Sequence, residues 1–358
     1  MSASAGQRKR TRASSKKEEV EEVVPEPEPL NHDETLWYPD GNIVLTAGET
    51  AFKVHRSILT KESKELEDIL SAGSERLEEG CPVYAFEDDS DKDLGYMLEF
   101  LYGLNRNYSQ VKRLPFDIVS ALCRLGAKYK MQRVRDEAVS RLRACYPDTL
   151  AGYNKMPFKG EKERPIEWTD GQDYAVVKLA LQEDDELRSV LPLALYECCR
   201  DPPKFIVENM DELSDEHNVW MAIWRRLFIG RVKLAESRAE DTFCFIGADV
   251  SEKCATSKSC AAALKGMVES IYKTPGVINN NPNSLELVYD LIDDKTRRKA
   301  CRDCLLFWKA LHLDGRAKAW GKLVDIFQLP IPEDETASSD DTESSDSEGG
   351  EAPEGAAA

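Results

Sequence analysis

The chain has 358 residues, 41% of them hydrophobic, and a formal net charge of −18 from 66 acidic and 48 basic residues. That length predicts about two domains with real cores. No run approaches the ~18 apolar residues of a membrane span, and no apolar stretch follows the N-terminus as a secretory signal needs. The ten cysteines are therefore expected in a reducing, intracellular setting, nucleus or cytoplasm, without disulfides.

Charge is spread unevenly. Residues 1–17 carry six basic residues and no acid, residues 18–34 carry eight acids, and residues 331–358 carry ten. The middle of the chain is left only mildly acidic, which predicts no basic face for nucleic acid. Residues 1–34 have no periodicity and read as a disordered tail. Their cluster Arg8-Lys9-Arg10-Thr11-Arg12 is either a nuclear import signal or a solvated basic tail.

Ile43-Val44-Leu45 is a continuous apolar run, the pattern of a strand buried on both faces. Gly48-Glu49 is a two-residue turn with Gly first, and Phe52 and Val54 set one apolar face of a second strand. At His55 the period changes from 2 to 3.6. Ile58 and Leu59, then Leu66, Ile69 and Leu70, read as faces of two short helices, with Ser63 as the cap between them. Val83 to Phe86 reads as a short strand. Ser90 caps a helix whose face is Leu94, Met97, Leu98 and Leu101. Pro115 opens a further helix lined by Ile118, Leu122 and Leu125. Val134, Ala138 and Leu142 line the one after it.

These residues resemble a BTB/POZ domain over about residues 35–145. The likeness is carried by Phe52, His55, Leu59, Ser63, Leu66, Ile69 and Leu70, and by Leu101-Tyr102-Gly103-Leu104 at the end of the third helix. The resemblance implies an α+β fold of short strands capped by helices and a homodimer with a second surface for partners. It makes His55 a structural residue at a strand-to-helix junction. Asn42 departs from the family, which usually carries Asp there.

Residues 146–170 are punctuated by Pro and Gly and read as a linker or large loop. Residues 171–330 read as a helical domain. Val176, Val177, Leu179 and Ala180 mark one helix, and Pro192 starts another with Leu195, Tyr196 and Cys199. Ser214 caps a helix through Trp220, Ile223, Trp224, Leu227 and Phe228. Leu264, Met267, Val268 and Ile271 mark a further one, and Thr296 to Phe327 the last. The phrases WYPDGNIVL, VVKLALQEDDELRSVLPLALYECC and AWGKLVDIFQLP resemble the expanded BTB proteins of basidiomycete fungi, in which a helical region follows the BTB domain. Residues 331–358 read as a disordered acidic tail, in which Ser338 and Ser345 suit an acid-directed kinase.

No motif of a catalytic serine, metalloprotease or dinucleotide site occurs, and the chain reads as a non-enzyme. Gly315 to Lys322, GRAKAWGK, has the wrong spacing for a phosphate loop and no strand before it. Five cysteines cluster late in the chain: Cys244, Cys254, Cys260, Cys301 and Cys304. Cys301 and Cys304, at i and i+3, share a helix face. With Cys254 and Cys260 they make either a closed four-thiolate zinc site or a set of ordinary reduced thiols in a helical core. The five residues between Cys254 and Cys260 exceed the usual two to four. Cys244 is the reserve ligand, expected to replace Cys254 if one of the four lies apart.

The leading functional expectation is a protein-interaction protein, a BTB homodimer acting as scaffold or nuclear co-regulator. An alternative is a substrate adaptor of a cullin-type ubiquitin ligase, against which Leu104-Asn105-Arg106 carries Arg where animal adaptors carry Glu. Nucleic-acid binding is the alternative of another class. Its one local cluster, Arg225, Arg226, Arg231 and Lys233, is scattered around a helix axis.

Overall fold

The continuous apolar run at Ile43 becomes the centre of a small sheet. In the computed structural model, which describes residues 30–104, 111–156, 162–182, 185–212, 217–274, 281–291 and 297–329, the chain is mixed α/β with a mostly helical remainder. The strands are β1 (Asn31–Trp37), β2 (Ile43–Ala47), β3 (Thr50–Val54), β4 (Leu77–Glu78) and β5 (Cys81–Ala85), in spatial order β1-β3-β2-β5-β4. β2 and β3 form the predicted hairpin, with Leu45 opposite Phe52. Gly48 turns it at φ 51°, a backbone region that costs glycine little. β5 runs parallel to β2, and β1 parallel to β3.

β1 corrects the tail boundary. Residues 31–34, read as part of a disordered tail, begin a strand. Its ladder partners lie on β3, so local composition gave no sign of it. Leu36 is buried, and Asp33 Oδ1 accepts hydrogen bonds from the backbone N–H of Thr35 and Leu36 at 2.9 and 2.8 Å.

Two short helices follow, α1 (Arg56–Glu62) and α2 (Lys64–Ser71). Ser63 caps α2: its hydroxyl accepts from Leu66 N–H at 3.0 Å and donates to Tyr129 C=O at 2.5 Å. Leu59, Leu66 and Leu70 are buried, but Ile69 is 41% exposed. At 100° per residue Ile69 lies outside the arc set by Leu66 and Leu70, so the apolar face read there is one residue too wide. α3 (Asp91–Tyr102) is capped by Ser90 and stopped by Gly103 in the left-handed region. α4 (Phe116–Lys128) takes Pro115 as its cap rather than as its first residue, and α5 (Gln132–Cys145) packs against it.

The stretch read as linker or loop carries α6 (Leu150–Tyr153) and buries Tyr146, Arg164 and Ile166. Backbone bonds from Leu114 N–H to Pro165 C=O and from Glu167 N–H to Leu114 C=O stitch it to the start of α4. Beyond it come α7 (Gln172–Gln182), α8 (Leu191–Arg200), α9 (Pro203–Glu212) and α10 (His217–Ser237). α10 ends in a π turn at Arg238–Thr242, and a 3-10 turn follows at Cys244–Gly247. α11 (Ser257–Lys273), α12 (Arg302–Gly321) and α13 (Leu323–Ile326) complete the described chain. On α10, Ile223 and Leu227 are buried while Phe228 is 69% exposed, a second correction of the same kind as Ile69. GRAKAWGK is the C-terminal part of α12 and its end, not a loop after a strand.

Two main cores result. The larger runs from Leu36 to Phe327 and joins the sheet, α1–α5, α7, α8, α10 and α13. The smaller holds Phe245, Leu264, Met267, Ile271, Val288 and Trp308, together with Cys260 and Cys304. α12 crosses both: Cys304 and Trp308 enter the smaller core, Ala319 the larger. Among the described residues no helix is long and apolar enough to cross a membrane. Residues 1–29 and 331–358 of the proposed tails, Ser214, Asn105-Arg106 and Thr296 lie outside the described residues.

Candidate metal centre

Four thiols converge where the start of α11 meets the start of α12. Cys254 sits in the loop before α11, its N–H held by Ser251 C=O at 2.8 Å. Cys260 lies in the first turn of α11. Cys301 is the N-cap residue of α12, and Cys304 follows one turn later on the same side. The sulfurs of these four all lie within 4.8 Å of one another, and Cys254 and Cys301 are 3.8 Å apart. Four thiolates about 2.3 Å from one zinc ion stand about 3.8 Å from each other, so a small contraction closes the set. The cluster can hold a metal ion.

Local forces favour thiolate at one of the four sulfurs, Cys260. Both helices present the positive ends of their dipoles to the sulfurs. Cys301 N–H donates to Cys260 Sγ at 3.2 Å, and Ser251 N–H donates to Cys304 Sγ at 3.4 Å. The Thr256 hydroxyl lies 3.3 Å from Cys260 Sγ. Such outer contacts orient metal ligands and spread their charge. Burial pushes the Cys260 thiol up, but hydrogen bonds from Cys301 N–H, Thr256 and the neighbouring thiols outweigh it and bring it down to about 7. Burial raises Cys304 to about 12, and the adjoining sulfurs add to that rise. Burial also raises Cys254. One sulfur of the four is thus set to ionise ahead of its neighbours.

The surroundings hold the site's shape. Ser259 Oγ donates to Lys299 C=O at 3.3 Å, joining the two cysteine segments. Trp308 Nε1 donates to Asp249 C=O at 3.0 Å, and Tyr289 donates to Leu305 C=O at 3.1 Å. Cys260 and Cys304 are buried, while Cys254 and Cys301 are half-buried.

No family profile, curated protein or solved structure matches this chain. Its functional reading therefore rests on its own residues. All four primary ligand candidates meet at one point. The reserve does not: Cys244 is exposed, donates to Leu311 C=O at 3.2 Å and stands outside the cluster, so it replaces none of them. Its spacing of ten residues from Cys254 says nothing about which side of the helical turn it faces.

Some of the residues that carry the resemblance meet at the start of α1. Asn42 Oδ1 accepts from Arg56 N–H at 2.8 Å and so caps α1 from a distance. His55 N–H donates to the Tyr102 hydroxyl at 2.7 Å, and His55 Nδ1 lies 2.9 Å from the same oxygen. Phe52 and Leu59 are buried beneath. Tyr102 links this junction to the end of α3, and burial pushes its hydroxyl up to about 12.

Sequence reasoning missed the contacts of Ser251 and Thr256 with sulfur. The signal was available in part, since Thr256 directly precedes the first turn of α11. It also missed a polar cavity of about 690 Å³ lined in part by Arg164, Arg200 and Arg316. Those residues are scattered over more than 150 positions and share no local pattern. Its charges are matched in place: Arg200 Nη1 is 2.9 Å from Glu197, and Arg316 donates to Leu285 C=O and Asn154 Oδ1.

Proposed function

We propose that this chain is a protein-interaction protein, a scaffold or nuclear co-regulator. Its N-terminal α+β unit is a BTB-type homodimerisation module, and its helical remainder presents a lobe closed by structural zinc. The observation that carries the reading is the order of elements. A hairpin, a helix pair joined at Ser63, a strand and a third helix ending on Tyr102-Gly103 follow one another, and that order supports the reading. Zinc suits four sulfur ligands in a compact tetrahedral set, and four protein ligands leave no open position for water, so the ion's role is structural. The basic cluster at Arg8 to Arg12 fits nuclear import.

Light scattering and elemental analysis on one purified sample test both halves. The expected mass is twice the 40.3 kDa of the chain at micromolar concentration, with one zinc per chain. A monomer would remove the dimerisation module, and metal-free protein from a zinc-replete preparation would remove the zinc. Cys301→Ser should lose the zinc and keep the dimer.

A further inference from the structure

α11 shows different faces to different neighbours. Cys260, Leu264, Met267 and Ile271 point into the smaller core. Lys258, Ala261, Lys265 and Val268, spaced by three and four, run along one outer flank. Residues 246–250 pass beside that flank. Between them lies an open groove of about 540 Å³. Ile246 and Val250 wall one side, Leu264 and Val268 the other, with Lys258 and Lys265 also on the lining. Among the described residues Asp249 is the single carboxylate on the lining.

Both lysines are exposed and form no ion pair among the described residues. Exposed Lys253 and Lys299 stand at the cysteine end of the same lobe, drawn there by the convergence of Cys254 and Cys301. An aliphatic trough edged by exposed cations is thus set into a chain of net charge −18.

We propose that this groove docks an acidic amphipathic segment of a partner protein. Aliphatic side chains of the segment enter between Val250 and Val268, and its carboxylates meet Lys258 and Lys265. The proposal rests on the interaction reading above and names the chemistry of one partner. The walls decide against nucleic acid, because single-stranded bases bind by stacking on aromatic rings and these walls are aliphatic. They also decide against the chain's own C-terminal acidic tail. Residues 332–358 contain no Val, Leu, Ile, Met or aromatic residue to fill the trough, whereas residues 18–30 carry Val20, Val23, Val24 and Leu30 among acids.

The test is selection of a random 16-residue peptide display library on the full-length, zinc-loaded chain. Enriched peptides should carry Asp or Glu beside aliphatic residues at helical spacing. Lys258→Glu/Lys265→Glu should weaken the enriched peptides at least about tenfold, as removing and reversing two facing charges implies. Lys155→Glu/Lys204→Glu, with the same change in net charge outside the groove, should not weaken them. No enrichment, enrichment of basic peptides, or equal binding by the groove variant would each overturn the proposal. A polyglutamate or a single-stranded oligonucleotide that competes as well as the selected peptides would also overturn it. A peptide of residues 18–30 that competes as well would seat the chain's own N-terminal segment there and overturn the partner reading. Mass and zinc content are measured on the same sample. A zinc-loaded dimer without such binding therefore refutes the groove alone.

Discussion

Cys260 decides how the lobe responds to pH. Its thiol is lowered from an ordinary 9.0 to about 7, so in the metal-free fold the thiolate is favoured. That contribution to stability is complete above the unfolded value and is lost as pH falls through about 7. Cys304 works in the opposite sense. Its raised value favours the neutral thiol, a contribution present below the unfolded value and lost as pH rises toward 12. Zinc takes thiolates, so it must displace whatever protons remain. Below pH 7 Cys260 still carries its proton; at pH 8 it does not. Proton release per zinc should therefore fall by roughly one between pH 6 and pH 8, and zinc affinity should weaken on acidification. Calorimetry of zinc addition in buffers of different ionisation enthalpy reads that count directly. A count that does not change would show that Cys260 is not the first sulfur to ionise.

α12 is the element on which the two cores depend together. Its crossing with the π turn after α10 is so close that a Cβ at Gly315 would lie 2.0 Å from Asp241 C=O. Gly315 is therefore a contact glycine, and its presence in GRAKAWGK reflects packing and not phosphate binding. Gly315→Ala should cost about 1–3 kcal/mol or more through forced displacement of α12, which a urea melt measures. An unchanged midpoint would mean that the crossing relaxes freely. Elements of this kind show where sequence reading stops. The hairpin, the caps at Ser63 and Ser90 and the cysteine convergence were legible because each depends on residues near in sequence or on chemistry specific to few residue types. β1 was not, since its ladder lies on a strand beyond a hairpin. Ile69 and Phe228 were misassigned because an apolar residue one position off a stripe looks like part of it. Gly315 was silent because a close crossing leaves no trace in composition.

At the scale of the whole molecule, the larger core is continuous from Leu36 to Phe327 while the smaller core is gathered around the cysteines. Structural zinc contributes about 10–16 kcal/mol of apparent binding energy in small peptides at neutral pH, enough to decide the fate of the smaller core but not of the larger. Chelation should therefore split thermal unfolding into two transitions, the lobe melting first with loss of helix from α11 and the first turns of α12. Scanning calorimetry with and without chelator checks this. A single transition that moves as one would mean that the two cores unfold together. The two cysteine pairs also have a consequence for engineering. An ion held by Cys254, Cys260, Cys301 and Cys304 would tie the loop before α11 to the start of α12. Reporter dyes at the exposed Lys253 and Lys299, which neighbour Cys254 and Cys301 in sequence, would then read free zinc as a change in their separation.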